Sequence, residues 1–394
     1  MQDNVNPNPN PNPTSNFLWD YLCNASKAGT PIVMYGTGDG ADKILAVMER
    51  YGLKPACFTA SGDFPMKRTF RDYRVLPFDE VQRRFSGFIM LVCFGTHRPD
   101  VIRRVYELSE RYEVYAPDVP VAGGDLSIFT PDYVSDNSAK LDRVRKLLAD
   151  EKSREVFDGW LQYRLSGKID ILEQIASPRA EVLSLLKLKD NGKEFFIDVG
   201  AFKGDTIEEF LEQTGGKFAK IVAIEPDLKN LTALRRKFYA HGNDVFTSVH
   251  AAAWDCDLPV EFAVKTGKSG AGRSPLIERN FPLPKPKVEG GSPLPKARVV
   301  EVAGIKLDTL CNGGKDSAPT LIKIDAEGAE SKVLQGARST IAKHRPKLLV
   351  SLYHRAEDMY ALPLLLHSFC PQYRFYLRKT WCLPGWEFQL CCTL

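Results

Sequence analysis

The chain has 394 residues, a length that favours two domains over one, and 44% of its residues are hydrophobic, which is enough for sizeable cores. Its formal net charge of +4 is small for this length and argues against a nucleic-acid partner. No apolar run approaches the roughly 18 residues of a transmembrane helix. The N-terminus lacks the basic and apolar regions of a signal peptide, and the nine cysteines form no CxxC pair, so we expect reduced thiols and a cytoplasmic protein.

The first 15 residues, MQDNVNPNPNPNPTS, alternate asparagine with proline and contain almost nothing apolar. Proline cannot donate a hydrogen bond to a helix or a strand ladder, so we predict a disordered tail over 1–15. A smaller Rossmann-like α/β domain is predicted over 16–136, because apolar runs typical of buried parallel strands alternate with helical patterns. Its predicted helices and strands cover 16–27, 31–35, 56–59, 88–94, 99–111 and 113–116, and a further helix opens at the glycine turn over 36–41 and carries Ile44, Leu45, Val47 and Met48.

A glycine-rich turn, GTGDGA over 36–41, follows the first of these strands and matches the G-x-G-x-x-G/A pattern of dinucleotide-binding turns. In such proteins an acid at the end of the second strand binds the ribose hydroxyls. Here that strand ends at Thr59, and the first acid is Asp63. Two interpretations stay open: a nucleotide or nucleotide-sugar site, or a tight turn that binds no nucleotide or docks a partner. The candidate site residues are Gly36, Gly38 and Gly40.

Residues 137–192 are rich in charged helical patterns with one apolar face, which predicts a helical connector. A second, larger domain is predicted over 193–394, where strands and helices alternate as in a doubly wound sheet, with a C-terminal antiparallel pair of strands. Its predicted strands cover 195–199, 221–224, 245–253, 258–264, 299–302, 305–307, 320–324, 347–352, 374–381 and 386–393, and its predicted helices 206–211, 228–239 and 331–344.

The stretch FFIDVGAFKGD over 195–205 organises this domain, because a buried strand runs into a glycine turn and then into a helix. Glu225 follows Gly204 at roughly the 20-residue distance of an acid that binds ribose hydroxyls. The turn lacks the middle glycine that a pyrophosphate needs, which favours S-adenosylmethionine (SAM) instead. Asp198 could then face the ammonium of the SAM amino-acid tail, or simply cap the turn.

Polar residues also follow the later strands of this domain. Trp254 could stack on an adenine, and Asp255 could accept a hydrogen bond from its amine. Asp325 and Glu327 follow the strand at 320–324, and His354 follows the strand at 347–352. The residues that we predict to bind the cofactor are Asp198, Gly200, Gly204, Asp205, Glu225, Trp254 and Asp255.

From about residue 194 onward the chain resembles the FkbM family of SAM-dependent methyltransferases. The motifs that carry the resemblance are IDVGAFKGDT (197–206), AIEPD (223–227), LIKIDAEGAESKVLQGA (321–337), LYHRAED (352–358) and YLRKTW (376–381). The part before them looks like the variant of this family with an N-terminal Rossmann-like unit. The resemblance implies a Rossmann-like methyltransferase fold, SAM as cofactor, and methyl transfer to a hydroxyl of a sugar, a glycoconjugate or a natural product.

A hydroxyl acceptor needs a base for its proton. We predict Glu327 and Asp325 as the first candidates and His354 as the second, since the pKa of histidine suits neutral pH. We predict no metal site, because no further ligand cluster is evident, although Asp325 and Glu327 could alternatively hold a divalent ion that orients the acceptor. Lys323 could pair with either carboxylate. A basic loop over 266–298 would suit a phosphate-bearing acceptor such as a lipid-linked sugar.

Two other functions stay open. The chain could be a binding or scaffold protein of glycan assembly whose methyltransferase domain has lost activity. More weakly, it could be an NAD(P)-dependent oxidoreductase that uses the turn at Gly36. The sequence leaves the oligomeric state open, with a homodimer as one option.

Overall fold

The computed structural model of the protein describes residues 17–60, 69–121, 128–242, 244–264, 298–312 and 318–394. The predicted tail over 1–15 and nearly all of the predicted basic loop lie outside these residues. Within the described ranges, no helix is both long enough and apolar enough to cross a membrane.

Six strands form the first sheet, with four helices around it. The strands are β1 (Ile32–Tyr35), β2 (Cys57–Ala60), β3 (Thr69–Phe70), β4 (Tyr73–Pro77), β5 (Ile89–Val92) and β6 (Glu113–Tyr115), and the helices are α1 (Leu18–Lys27), α2 (Asp39–Arg50), α3 (Phe78–Arg84) and α4 (Pro99–Ser109). Their order across the sheet is β3-β4-β2-β1-β5-β6, with every neighbouring pair parallel except β3 with β4. β1 and β5 are buried along their whole length, which is why their sequences are continuous apolar runs.

Five helices connect the first sheet to the second: α5 (Pro131–Asp136), α6 (Ser138–Leu147), α7 (Glu151–Ser166), α8 (Ile169–Gln174) and α9 (Arg179–Leu185). The α7 helix begins where the Asp150 carboxylate accepts a hydrogen bond from the Ser153 N–H, and it ends at Gly167 with a left-handed φ of 63°. The Tyr163 hydroxyl donates to the carbonyl of Ala116, just after β6, and accepts from the N–H of Gly385. The predicted helical connector is therefore a packed layer that touches both halves of the chain.

The second half of the chain contains the strands β7 (Phe195–Val199), β8 (Lys220–Ile224), β9 (Phe246–Val249), β10 (Ala252–Ala253), β11 (Val260–Val264), β12 (Arg298–Val302), β13 (Gly304–Ile305), β14 (Leu321–Ile324), β15 (Lys347–Ser351), β16 (Arg374–Lys379) and β17 (Phe388–Thr393). Seven of them form one sheet in the order β16-β17-β15-β14-β7-β8-β9. The strands from β15 to β9 run parallel, and β17 is antiparallel to both β15 and β16. This arrangement confirms the predicted doubly wound sheet with a C-terminal antiparallel pair.

Six helices pack on this sheet: α10 (Asp205–Gln213), α11 (Leu228–Phe238), α12 (Leu307–Leu310), α13 (Glu330–Gly336), α14 (Arg338–His344) and α15 (Asp358–Phe369). The sequence predicted one helix over 331–344, whereas the chain breaks it at Ala337. The Asp308 carboxylate accepts hydrogen bonds from the N–H groups of Ser339 and Thr340, at 3.0 and 2.7 Å, and so starts a separate helix. A residue 31 positions away in sequence decides this break, so the local pattern could not show it.

The strand predicted over 245–253 is also divided. β9 pairs with β8 inside the seven-stranded sheet, but β10 leaves that sheet and pairs with β13. Trp254 and Asp255 consequently follow a two-residue strand outside the main sheet, which corrects the prediction that they end its third strand. The helix α15 and the elements β3, β4 and α3 were not predicted.

Candidate active site

The glycine turn after β7 lies at the carboxyl edge of the second sheet, the edge at which its parallel strands end. Gly200 and Gly204 have left-handed φ angles of 70° and 83°, a conformation that glycine adopts without steric cost. A Cβ on Gly200 would lie 1.9 Å from the carbonyl oxygen of Asp325, so the turn after β7 touches the turn after β14. Gly204 precedes α10, whose first residue, the predicted cofactor-binding Asp205, is exposed at the helix N-terminus.

Beneath this turn, Asp198 and Lys323 form a buried ion pair. The β7–β14 register places the two residues side by side, and Lys323 Nζ lies 3.2 Å from Asp198 Oδ1. Lys323 Nζ also donates to the carbonyl of Gly200 at 2.8 Å and lies 4.0 Å from Asp325 Oδ2. The predicted ion pair between Lys323 and Asp325 is confirmed, at 4.0 Å. The acid closest to Lys323 is nevertheless Asp198, at 3.2 Å. Because Asp198 is fully buried under the turn, its predicted contact with a cofactor stays a prediction.

Glu225 follows β8 on the other side of the glycine turn, with 5% of its surface exposed. Its two carboxylate oxygens accept hydrogen bonds from the N–H groups of Phe202 and Asp227, each at 2.8 Å. Burial raises the pKa of Glu225 to about 7, although both hydrogen bonds oppose this shift. Each oxygen keeps a further lone pair, so the group can still accept from a ligand hydroxyl.

The remaining predicted cofactor contacts are only partly accessible. Trp254 is largely buried, with 8% exposed, and the Asp255 carboxylate lies 3.0 Å from Lys332 Nζ. Asp255 therefore already has an ammonium partner within the chain, on α13. Adenine stacking on Trp254 and an amine contact for Asp255 stay predictions.

The three predicted catalytic residues meet at the same edge of the sheet. His354 Nε2 lies 3.5 Å from Asp325 Oδ1 and 3.5 Å from Glu327 Oε2. Glu327 has a left-handed φ of 54°, followed by Gly328 at 98°, and this tight turn directs its carboxylate toward the imidazole. His354 is fully buried, whereas the Asp325 and Glu327 side chains are 19% and 20% exposed. One ligand atom from each of the three residues lies within 4.8 Å of the others.

Two further buried acids lie next to these three residues, on the side away from solvent. Glu330 is fully buried at the start of α13, and its Oε1 lies 2.9 Å from His354 Nδ1 and accepts from the N–H of Ala326. Asp358, at the start of α15, accepts from the N–H of Arg355. Burial would lower the pKa of His354, but the carboxylates of Glu330, Glu327 and Asp325 raise it to about 10. Burial, then the Glu330 carboxylate, raises the pKa of Asp358 well above its usual range.

The sequence predicted no catalytic or binding role for Glu330 or Asp358. One signal could have indicated them: each acid is the first residue of a helix that follows a turn carrying a predicted site residue. The prediction of no metal site rested on the lack of a further ligand. The fold brings a third candidate ligand, His354, to Asp325 and Glu327, and the prediction itself stays untested by the structure.

The glycine turn of the first sheet is packed by the protein's own groups. A Cβ on Gly36 would lie 2.8 Å from the Phe94 ring, and a Cβ on Gly40 would lie 2.5 Å from the carbonyl oxygen of Cys93. Only Gly38 of the three faces open space. Next to the turn, Thr96 and Leu383 exchange two backbone hydrogen bonds, so the β16–β17 connection covers this edge.

The seven-stranded sheet, its glycine turn and the acids at its edge together describe a methyltransferase-type α/β domain. Residues 198–378 match the model of the methyltransferase FkbM domain family. The resemblance to the FkbM methyltransferases that the motifs predicted is therefore confirmed for these residues.

One solved structure has this fold over almost the whole chain. Methyltransferase FkbM from Methylobacillus flagellatus KT is similar with a TM-score of 0.68 and 19% identity, over 97% of this chain and 95% of that one. The similarity covers the first sheet as well as the second. Precorrin-6y C5,15-methyltransferase from Geobacter metallireducens GS-15 is similar over 55% of this chain and 86% of that one, with 12% identity and a TM-score of only 0.31. No curated protein matches the sequence.

Proposed function

We propose that the protein is a SAM-dependent methyltransferase that methylates a hydroxyl oxygen of a sugar, a glycoconjugate or a natural product. One observation carries the proposal: a glycine turn, a buried ribose-type acid and a partly exposed carboxylate pair share one edge of the sheet. Glu225 lies on one side of the turn, and Asp325 and Glu327 lie on the other. Cofactor and acceptor would thus bind on opposite sides of Gly200.

The residues of the turn fit SAM. Glu225 keeps lone pairs that can accept from both ribose hydroxyls, and it is held in place by two backbone N–H groups. Asp198 and Lys323 neutralise each other beneath the turn, and Lys323 fixes the Gly200 carbonyl. The preformed turn at Gly200 and Gly204 lets a ligand approach the backbone closely.

When bound, SAM supplies a methyl group on a positively charged sulfur; an oxygen nucleophile takes the methyl, and the electron pair of the broken S–C bond stays on sulfur. The chain's own contribution is to hold the hydroxyl in line and to receive its proton. Asp325 and Glu327 suit this role, because solvent reaches both carboxylates. His354 lies behind them, and its burial supports a role in holding charge and position rather than in meeting the acceptor.

The acceptor class rests on the chemistry of this pair. Two adjacent carboxylates can accept hydrogen bonds from neighbouring hydroxyls, as a sugar offers them. Lysines and arginines between 265 and 296 would suit an acceptor that also bears phosphate.

The proposal is tested by titrating SAM into the protein in a calorimeter. We expect one SAM per chain and an affinity loss of about tenfold or more in Glu225→Ala, because a charged acceptor of the ribose hydroxyls is removed. Glu212→Ala, an exposed acid at the far end of α10, is the matched control and should bind as wild type does. Absence of SAM binding by the wild type would overturn the proposal and favour a binding protein without activity. If SAM binds, incubation with labelled SAM and glycan and lipid-linked precursors, followed by mass spectrometry, would identify the acceptor.

A further inference from the structure

The contacts of His354 with Asp325 and Glu327 are not those of a hydrogen-bonded histidine. His354 Nε2 is fully buried and makes no hydrogen bond, although it points between two carboxylate oxygens at 3.5 Å each. A charged imidazole that donated to a carboxylate would lie about 2.8 Å from one of them. The equal, longer distances leave room for an atom between the three groups.

These distances match the spacing of metal ligands. Nitrogen and oxygen ligands lie about 2.1 Å from a Zn²⁺ or a similar first-row ion, so tetrahedral neighbours are about 3.4 Å apart and octahedral neighbours about 3.0 Å. The two distances from His354 Nε2 are close to the first value, and all three ligand atoms lie within 4.8 Å of one another. A small movement of the side chains would close the set around one ion.

We propose that Asp325, Glu327 and His354 bind one divalent first-row metal ion, such as Mn²⁺ or Zn²⁺, which holds the hydroxyl oxygen of the acceptor. One imidazole and two carboxylates favour such an ion over Mg²⁺ or Ca²⁺, which prefer oxygen ligands alone. The ion is reachable, because the Asp325 and Glu327 side chains are about a fifth exposed.

Glu330 has the position of a supporting group for a metal-bound histidine. Histidine ligands usually direct their other ring nitrogen toward a carboxylate, which fixes the tautomer and the orientation of the ring. His354 Nδ1 lies 2.9 Å from Glu330 Oε1, although the N–H is not aligned on the oxygen. The same Glu330 oxygen accepts from Ala326 N–H, between the two carboxylate ligands, so one buried acid positions all three ligands.

The ion would stabilise the negative charge that develops on the acceptor oxygen, which a carboxylate alone cannot do. Metal coordination stabilises the oxygen of a hydroxyl as it loses its proton. The proton would pass to water or to the Glu327 carboxylate oxygen that does not bind the ion, the acceptor oxygen would take the methyl group of SAM, and the electron pair of the broken S–C bond would stay on sulfur. This role of the ion rests on the proposed function, whereas binding of the ion does not.

The test uses the full chain, freed of metal with a chelator, and Mn²⁺ alone as the probe. Electron paramagnetic resonance measures free Mn²⁺, and we expect one Mn²⁺ taken up per chain and displaced by Zn²⁺. Glu327→Gln removes a ligand and should weaken Mn²⁺ binding at least tenfold. Glu330→Gln should weaken it by about 10- to 100-fold through the histidine. Glu212→Gln and His344→Gln, both remote from the group, should bind as wild type does.

His354→Gln is informative only if its thermal melt shows a folded protein, because His354 is fully buried. Glu327→Gln tests metal binding without the His354 variant, because the Glu327 side chain is partly exposed and its replacement should leave the protein folded. Failure of the wild type to take up Mn²⁺, or unchanged affinity in Glu327→Gln, would overturn the inference. SAM titration of the metal-free protein separates the two proposals: Mn²⁺ uptake without SAM binding refutes the function alone, and SAM binding without Mn²⁺ uptake refutes the metal site alone.

Discussion

The two sheets each have a glycine turn after a central buried strand, but the two edges are built differently. At the first sheet, the space beside Gly36 and Gly40 is taken by Phe94 and Cys93, and the connection between β16 and β17 covers the neighbouring loop. Among the described residues over 32–116, Thr59 is the only buried side chain that is polar or charged, tyrosine and cysteine aside. At the second sheet, the buried groups include Asp198, Glu225, Lys323, Glu330 and His354.

This difference shows that a glycine pattern predicts a turn and not a ligand. The better match to the dinucleotide pattern, at Gly36, belongs to an edge that packs against its own chain. The poorer match, at Gly200, belongs to the edge that concentrates buried charge. Burying charged groups is costly unless they are paired, so a concentration of them indicates function more reliably than the glycines do.

The largest effect should come from Gly200→Ala. Its Cβ would lie 1.9 Å from the Asp325 carbonyl oxygen, and backbone rather than a flexible side chain would have to move. We expect a loss of about 3 kcal/mol or more in the free energy of unfolding, measured in urea, and loss of Mn²⁺ and SAM binding. Gly192→Ala is the control, because Gly192 has the same φ of 70° but nothing within 4 Å. Equal losses in the two variants would show that backbone strain, not the contact with Asp325, is responsible.

A smaller effect is expected at the first sheet, from Gly95→Ala. A Cβ there would lie 1.9 Å from the Trp386 ring, which can shift because it is a side chain. We expect a loss of about 1 to 3 kcal/mol in unfolding free energy and unchanged SAM affinity. Gly87→Ala, with nothing within 4 Å, should be near neutral. A strong loss of SAM binding in Gly95→Ala would mean that the two edges act as one site.

The smallest effect concerns pH. The pKa of Glu225 is about 7 in the protein, and hydroxyl donors of a ribose favour its ionised form, so binding should lower that pKa. SAM affinity should therefore be full above the pKa and fall as the pH drops through it, by about tenfold between pH 8 and pH 6. Calorimetry at these two values checks this expectation. Glu225→Gln should remove the dependence; a dependence that persists in this variant belongs to another group.

Much of the fold could be predicted from the sequence, because buried parallel strands such as Ile32–Tyr35 and Phe195–Val199 are apolar throughout. The features that were missed depend on distant partners. The break between α13 and α14 needs Asp308, and the departure of β10 from the main sheet needs β13. The individual residues of the candidate site could be predicted, since each of them follows a strand of the sheet. The contact of His354 with Glu330 could not be predicted, because it depends on how two turns and two helices pack.

The register of β7 and β14 has a consequence for how the protein folds. Phe196 pairs with Leu321 in parallel, so the central seam of the second sheet joins segments 125 residues apart in the chain. Contacts of such high sequence separation form slowly, because the loop between them must be closed before any hydrogen bond compensates for the lost entropy. The first sheet, whose strands pair over shorter distances, has the faster route to structure. The charged groups around Asp198 and Lys323 are therefore desolvated late, when most of the chain has already been ordered around them.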